Sequence, residues 1–362
     1  MNGPLWIGTR RIGCILAGIA IGCAPATAVA RDRAQPALAR PTPSMAPTRA
    51  PHGAASASQL PPIAIHGNKT TFEIAPVLLA ADRLYPGVAT VKMGGVPNLF
   101  GAPNVAGFSE PGIADVATNA ETQALRISVA HPDLRIILTV SEGLYRIVGR
   151  RSAGIRTIAD LRGKRIATVP NTSSGYFLHR MLQTAGLTEA YVTIVPILPL
   201  RGMAPALRDG RVDSVTIWEP EVENAAAAIG ADAIEFSDPA VYRELFNLNT
   251  TAAALADPVR RRKIVAFTAA LLDASAQIRA RPDLAYPLVA AASSYDRGLI
   301  ARAWKHGTYP GILVPDLLDV MVAEELWLAA ADKRPPRPRA VLASLIDTSV
   351  LAEAEEMRRS AR

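Results

Sequence analysis

The segment from Ile155 to Pro220 constrains this chain more than any other, because short apolar runs alternate there with helix starts built from small polar residues. Its first third, IRTIADLRGKRIATVPNTSSGYFLHRML, predicts a short helix over 157–161, a turn at Gly163, a strand over 165–169 and a helix from about Ser174. Between that strand and that helix stand Asn171, Thr172, Ser173 and Ser174. Such residues are favoured N-caps, since a side-chain oxygen accepts the N–H groups orphaned in the first helical turn. A strand that enters a helix through small residues also presents N–H donors and the positive end of the helix dipole. Thr172, Ser173, Ser174 and Gly175 are therefore candidates to hold a carboxylate, sulfonate or phosphate group. The plainer alternative is that Thr172 or Ser173 only caps its own helix. Further on, GMAPALRDG and the strand RVDSVTIW lead to Trp218-Glu219-Pro220. Ligands of open α/β sheets sit beyond the carboxyl ends of the strands, so this turn and the Ser/Thr loop would face one crevice. Trp218 either packs in the core or walls off a ligand, and both hold if it lines the cleft floor.

The order DLRGKRIATVPNTSSGYFLHRMLQTAGL, then ALRDGRVDSVTIWEPEVENAA, resembles the periplasmic substrate-binding proteins of the nitrate/sulfonate/taurine and thiamine-precursor importers. The resemblance runs from about residue 63 to 354 and is sharpest over 155–228. It implies an α/β fold of the two-lobed periplasmic-binding-protein kind (type II) with a helical C-terminal tail. Residues 63–145 plus 248–362 would form one lobe and 146–247 the other. It also implies a small-molecule ligand, a permease of an ABC importer in the inner membrane as partner, a monomer, and no chemistry. By the same resemblance the loop after the first strand, with His66, Asn68 and Lys69, contributes to the ligand site, as does the strand-to-helix junction at Thr118, Asn119 and Glu121. The alternatives are an unpartnered loop histidine for His66, a cap for Asn119 and dipole complementarity for Glu121. Glu142, Glu219 and Asn249 complete the candidate set, Asn249 lying where the chain crosses back between lobes.

The ends of the chain bound its chemistry. Arg10 and Arg11 form a basic start, Ile12 to Ile21 an apolar run too short for a comfortable membrane span, and Ala28-Val29-Ala30 a small-residue cleavage site. Residues 1–30 therefore read as an export signal, with a partial twin-arginine pattern at Thr9-Arg10-Arg11, and the location expected is the periplasm. Ile21-Gly22-Cys23 offers a lipoprotein-type alternative that would put a lipid anchor on Cys23. The two cysteines, Cys14 and Cys23, both lie in this segment. A chain cut after Ala30 thus has no disulfide, thiol nucleophile or thiolate metal site. Residues 31–62, rich in Ala, Pro, Ser and Thr with no hydrophobic period, read as a disordered linker.

Downstream the pattern predicts a β-α-β opening (strand 63–65, helix 71–84, strand 88–93), then an unreadable stretch, Gly94 to Pro111, one option for which is part of the cleft wall. A strand over 113–117, a helix opening at 118–121 and a strand over 134–140 follow. After the return crossing within 242–251 come helices over 258–280, 282–292, 297–304, 315–330 and 342–357.

The formal net charge of +7 raises nucleic acid or an anionic membrane as partners. Charges of opposite sign alternate, however, and the longest basic run is Arg260-Arg261-Arg262-Lys263 at a helix start, so no nucleic-acid partner is expected. His-Glu-x-x-His, Gly-Lys-Ser/Thr and Gly-x-Ser-x-Gly patterns are missing, and the five histidines lack metal-ligand spacing. No cofactor, metal or catalytic residue is therefore expected. Glu121, Glu142 and Glu219 outnumber the basic candidates His66 and Lys69, and unpaired carboxylates repel an oxyanion. That balance favours a small organic ligand, with one sulfonate-like end on the N–H groups of 172–175 and a donor-rich remainder, over nitrate. Two rival readings stay open: a protein of the thiamine-pyrimidine precursor binding or synthesis type, whose enzymes carry a cysteine-rich motif missing here, and a ligand-sensing module for a membrane receptor.

Overall fold

The structure, a computed structural model, describes residues 60–102, 104 and 108–361; the expected export signal and nearly all of the expected linker lie outside them. The apolar runs form eleven strands: β1 (Ile63–Gly67), β2 (Ala89–Met93), β3 (Val116–Ala120), β4 (Leu134–Gly143), β5 (Arg146–Arg150), β6 (Arg165–Ala167), β7 (Thr193–Val195), β8 (Ser214–Ile217), β9 (Ala233–Phe236), β10 (Glu244–Thr251) and β11 (Gly307–Thr308). They make two sheets, one in the order β11-β4-β10-β3-β1-β2 and the other in the order β7-β6-β8-β5-β9. β1 runs parallel to β2 and β3, and β6 parallel to β7 and β8, with helices as crossovers. The chain passes from the first sheet to the second between β4 and β5, and returns between β9 and β10. All eight residues of β10 are buried, because it pairs with β3 on one side and β4 on the other and helices cover the sheet.

The core of the first sheet gathers Ile63, Ile65, Val116 and Ile137 against the long helix Pro258–Ala280. That helix begins where the sequence places it: Pro258 needs no N–H partner, and Asp257 accepts from Val259 N and Arg260 N at 2.8 and 3.2 Å. Helices Leu317–Ala331 and Arg339–Ala343 cover the other face through Leu317, Met321, Leu328 and Leu342. Among the described residues no helix is long and apolar enough to cross a membrane.

Three expectations shift. The helix expected over 71–84 is α-helical only over Ala75–Leu79 and continues as a π-helical turn over Ala80–Leu84. Thr118 and Asn119, expected to open a helix, are strand residues: β3 is held in register by Leu248 opposite Thr118 and Asn247 opposite Asn119, so the helix starts only at Glu121. The last helical stretch breaks into Arg339–Ala343 and Ser349–Ser360. Between them Ile346 bridges to Ile136, and Asp347 turns its carboxylate onto Ser349 N at 2.8 Å.

Candidate functional site

The parallel strands of both sheets end at one place. Asn68 follows β1, Gly94 follows β2, Asn119 and Ala120 end β3, Val169 and Thr172 follow β6, Leu198 follows β7 and Trp218 follows β8. These residues line a cleft of about 750 Å³ between the sheets, where ligands of α/β folds are expected. The stretch that resists reading, 94–111, contributes Gly95, Pro97, Asn98, Phe108 and Ser109 to its wall, partly through the 3₁₀ turn Val96–Phe100. Asn98 ties that turn together by accepting from Gly95 N at 3.0 Å and donating to Glu110 O at 3.0 Å.

The Ser/Thr loop is built for a tight entry into its helix, Ser173–Thr184. Asn171 adopts the left-handed conformation (φ 58°), which asparagine tolerates better than most residues. Thr172 occupies the cap position but does not cap; its hydroxyl donates back to Val169 O at 2.7 Å. Gly175 packs so close to the end of β6 that a Cβ would come within 3.2 Å of Val169 O. Where the sequence led us to expect a ligand anion at this helix start, the chain supplies its own carboxyl. Ser173 Oγ lies 3.2 Å from Glu244 Oε1, to which it donates, and 2.9 Å from the Tyr145 hydroxyl.

Glu244 stands beside Glu73 at the floor of the cleft. Both are buried, and Oε2 of each has no hydrogen-bond partner among the described residues. Burial pushes both carboxyls up from their ordinary range, Glu244 well above it, and for Glu244 the neighbouring Glu73 adds to the effect. Gly143 makes room here, since a Cβ on it would come within 2.8 Å of Glu244 Oε2. Aromatic and apolar groups line the cleft above this floor: Trp218, Phe246, Phe108 and Tyr295. Arg201 is the one guanidinium among the lining residues. It lies 4.8 Å from the centroid of the Tyr295 ring and donates to Ser293 O at 3.0 Å.

The structure thus brings Asn68, Asn119, Thr172, Ser173 and Trp218 of the candidate set to one cleft. It puts the others elsewhere. Lys69 pairs with Glu110 at 3.4 Å. His66 is buried next to Gly94 and Gly112, and burial lowers its pKa. Thr118 is buried in β3 against Gly67. Glu121 accepts from the Tyr242 hydroxyl at 2.6 Å and from Leu245 N at 2.8 Å, a structural anchor of β10. Glu142 pairs with Arg243 at 2.7 Å, Glu219 with Arg146 at 2.5 Å. Ser174 lies 3.1 Å from both Thr168 Oγ1 and Thr172 Oγ1, and Gly175 is packed as described. Asn249 is buried within β10 and donates to Ala117 O at 3.2 Å and Asn247 O at 2.9 Å.

Sequence reasoning overlooked Glu73 and Glu244, although each leaves a trace. Glu73 is the one charge in the apolar run FEIAPVLLA, and Glu244 opens ELFNLNTT, a strand with no charge after it. A lone carboxylate in such a run is rarely buried without a reason. Among the described residues, no group of three or more His, Cys, Asp or Glu is arranged to hold a metal ion.

Two sheets joined by two crossing strands, with a cleft at the strand ends and a helical C-terminal tail, define a two-lobed periplasmic-binding-protein fold. Residues 108–285 match the family described as NMT1/THI5-like, a match that includes the stretch 155–228 where the sequence resemblance is sharpest. Solved structures of the same fold include the periplasmic aliphatic sulphonate-binding protein SsuA from Escherichia coli. It shares 19% identity, over 79% of this chain and 92% of that one, with a TM-score of 0.64. The alkanesulfonate-binding protein SsuA from Xanthomonas axonopodis pv. citri, bound to MOPS, shares 20% identity over 81% and 100% of the two chains, with a TM-score of 0.59. The desulfurization enzyme DSZB is also similar, at 13% identity over 82% and 99%, with a TM-score of 0.58. No curated protein sequence matches the chain.

Proposed function

We propose that this chain is an extracytoplasmic solute-binding protein that captures a small organic molecule between its lobes and delivers it to the permease of an ABC importer. The observation that carries this reading is the cleft itself, whose walls come from both sheets and whose volume of about 750 Å³ suits a small organic ligand. Asn68, Asn119 and Trp218 supply the polar and aromatic contacts at its sides, while Thr172 and Ser173 bring the helix start. Lobe closure about the crossing strands would bury the ligand and create the surface that the permease reads. The sulfonate-binding proteins of the same fold support capture as the role. The acidic floor argues against taking over their ligand unchanged. The reading puts the protein in the periplasm, either freed by cleavage after Ala30 or held by a lipid on Cys23, and the intact mass of the exported protein separates these.

The similarity to DSZB favours a second reading, an enzyme, which makes a different prediction. A mature chain that begins at Arg31 has no cysteine to act as a nucleophile. The test is a thermal-shift screen of sulfonates, carboxylates, amines and nitrogen heterocycles on the exported chain. A ligand at 100 times its Kd stabilises the folded state by about 2.7 kcal/mol. Capture predicts a saturable shift with the ligand recovered unchanged; a shift with the ligand consumed would establish the enzyme, and no shift across the panel would remove the capture reading.

A further inference from the structure

The geometry points to a cation-recognising subsite: we propose that Glu73 and Glu244, at the floor of the cleft, bind a protonated amine or amidine carried on an apolar or aromatic body. This rests on the reading of the cleft as the capture site and names the class of molecule it takes.

The two side chains come from opposite ends of the first sheet's sequence, Glu73 from the turn before helix Ala75–Leu79 and Glu244 from the first residue of β10. They meet at the one cleft that both border, 7% and 4% exposed respectively. Ser173 fixes Glu244 by donating to Oε1, and Tyr145, through Ser173, holds that hydroxyl in place. Oε2 of Glu244 and Oε2 of Glu73 are left without a partner. Buried acceptors without donors are costly, and a ligand bearing several N–H groups removes that cost at both oxygens together. No Arg or Lys donates a hydrogen bond to either carboxyl among the described residues, so the positive charge is left for the ligand to bring.

The walls agree with the floor. Of the other charged residues that line the cleft, Glu221 accepts from the Tyr295 hydroxyl and from Asn224, and Arg201 is engaged with Tyr295 and Ser293. The lining therefore carries three carboxyls and one guanidinium that is already engaged, so a cation finds acceptors there and a sulfonate finds no free counter-charge. Trp218 and Phe246 offer apolar and π surface for the body of the ligand and add cation–π attraction for its head.

The test uses ring-matched probes: benzamidine, benzamide, benzoate and benzenesulfonate, with their naphthyl counterparts, titrated calorimetrically into the exported chain. The amidines are expected to bind at least ~10-fold tighter than the amides, and the anions more weakly still. Glu73→Gln and Glu244→Gln, which keep shape and remove the carboxylate, are each expected to weaken amidine binding at least ~10-fold, with melting curves that show a folded protein. Glu353→Gln, at an exposed carboxylate paired with Arg261 outside the cleft, is expected to leave it unchanged. Preference for benzenesulfonate or benzoate, or amidine binding that survives both Gln substitutions, overturns the subsite while the capture reading stands. Absence of binding by all eight probes overturns both.

Discussion

Buried carboxylates meet two different fates in this molecule: some are matched with arginine in the packed fold, and two lie side by side at the floor of the cleft. In one region they are matched with arginine. Glu325 lies between Arg334 and Arg337, at 2.5 and 2.9 Å, and Arg337 N donates to the same carboxylate at 2.8 Å. Arg146, itself buried, gathers Glu219, Glu223 and Glu235 at 2.5, 2.9 and 2.6 Å where β5 begins. In the other region, Glu73 and Glu244 lie side by side with only Ser173 donating to one of them. The first arrangement fastens chain to chain. The second withholds a counter-charge in the place where a solute would arrive. An unmatched charge in a low-dielectric site survives only if it is neutralised by a proton or by a bound group, and Glu324, buried away from the cleft without a hydrogen-bond partner among the described residues, is held to the same condition.

That contrast can be broken in four ways, the largest effect first. Arg146→Met should cost about 3–5 kcal/mol in urea unfolding, since it strands buried Glu219 beside two further carboxylates; a loss below about 1 kcal/mol would show that the arginine does not fasten the lobe. Glu325→Gln should cost about 1.5–3 kcal/mol, the range for hydrogen bonds to charged groups. Its arginine partners hold the Glu325 carboxyl at about 2, below its ordinary value. The wild type therefore has this contribution in full above the ordinary carboxylate range and loses it as pH falls toward 2, whereas the Gln variant should lack that acid limb.

Glu244→Gln should behave in the opposite sense, leaving stability at pH 7 unchanged or raising it by up to about 2 kcal/mol. Burial makes this carboxyl keep its proton to higher pH in the native state than in the unfolded chain. Wild-type stability should then decline relative to the variant as pH rises above the ordinary carboxylate range. Tyr145, Ser173, Glu73, Glu121, Tyr242 and Glu324 face Glu244, and none is a cation able to reverse the sign. A loss of more than about 2 kcal/mol in this variant would mean that the pair is structural after all. The smallest effect is expected from Arg126→Ala. Arg126 donates to Asn171 O at 3.1 Å across the mouth of the cleft, an exposed contact, so unfolding should change by no more than about 0.5 kcal/mol.

The fold was legible where local signals agreed. Pro258, capped by Asp257, marked the start of its helix, and the run from Arg165 to Ile217 gave the second sheet's parallel strands in order. It failed where pairing partners distant in sequence decide the outcome: Thr118 and Asn119 look like a helix start, yet β10 keeps them in a strand. The lining of the cleft was legible at its sides and not at its floor. Thr172, Ser173 and Trp218 lie on turns whose chemistry is local, so the sequence marks them. Glu73 and Glu244 are 171 residues apart, and no local pattern tells that they meet. Glu142 and Glu219 misled for the same reason in reverse, because Arg243 and Arg146, which neutralise them, lie far away in the chain.

Glu244 is also the first residue of β10, one of the two strands on which the chain crosses between its sheets. A rotation of one lobe about those strands displaces atoms in proportion to their distance from the axis. The carboxyls at the pivot, and Ser173 bonded to Glu244 beside them, would hardly move, whereas lining residues farther from those strands would travel. Recognition at the floor is then the same in the open and closed forms, so the protein can test the head of a molecule before it commits to enclosing it. Selectivity would show itself in which solutes stay long enough to be closed upon, and the rim would set how long they remain.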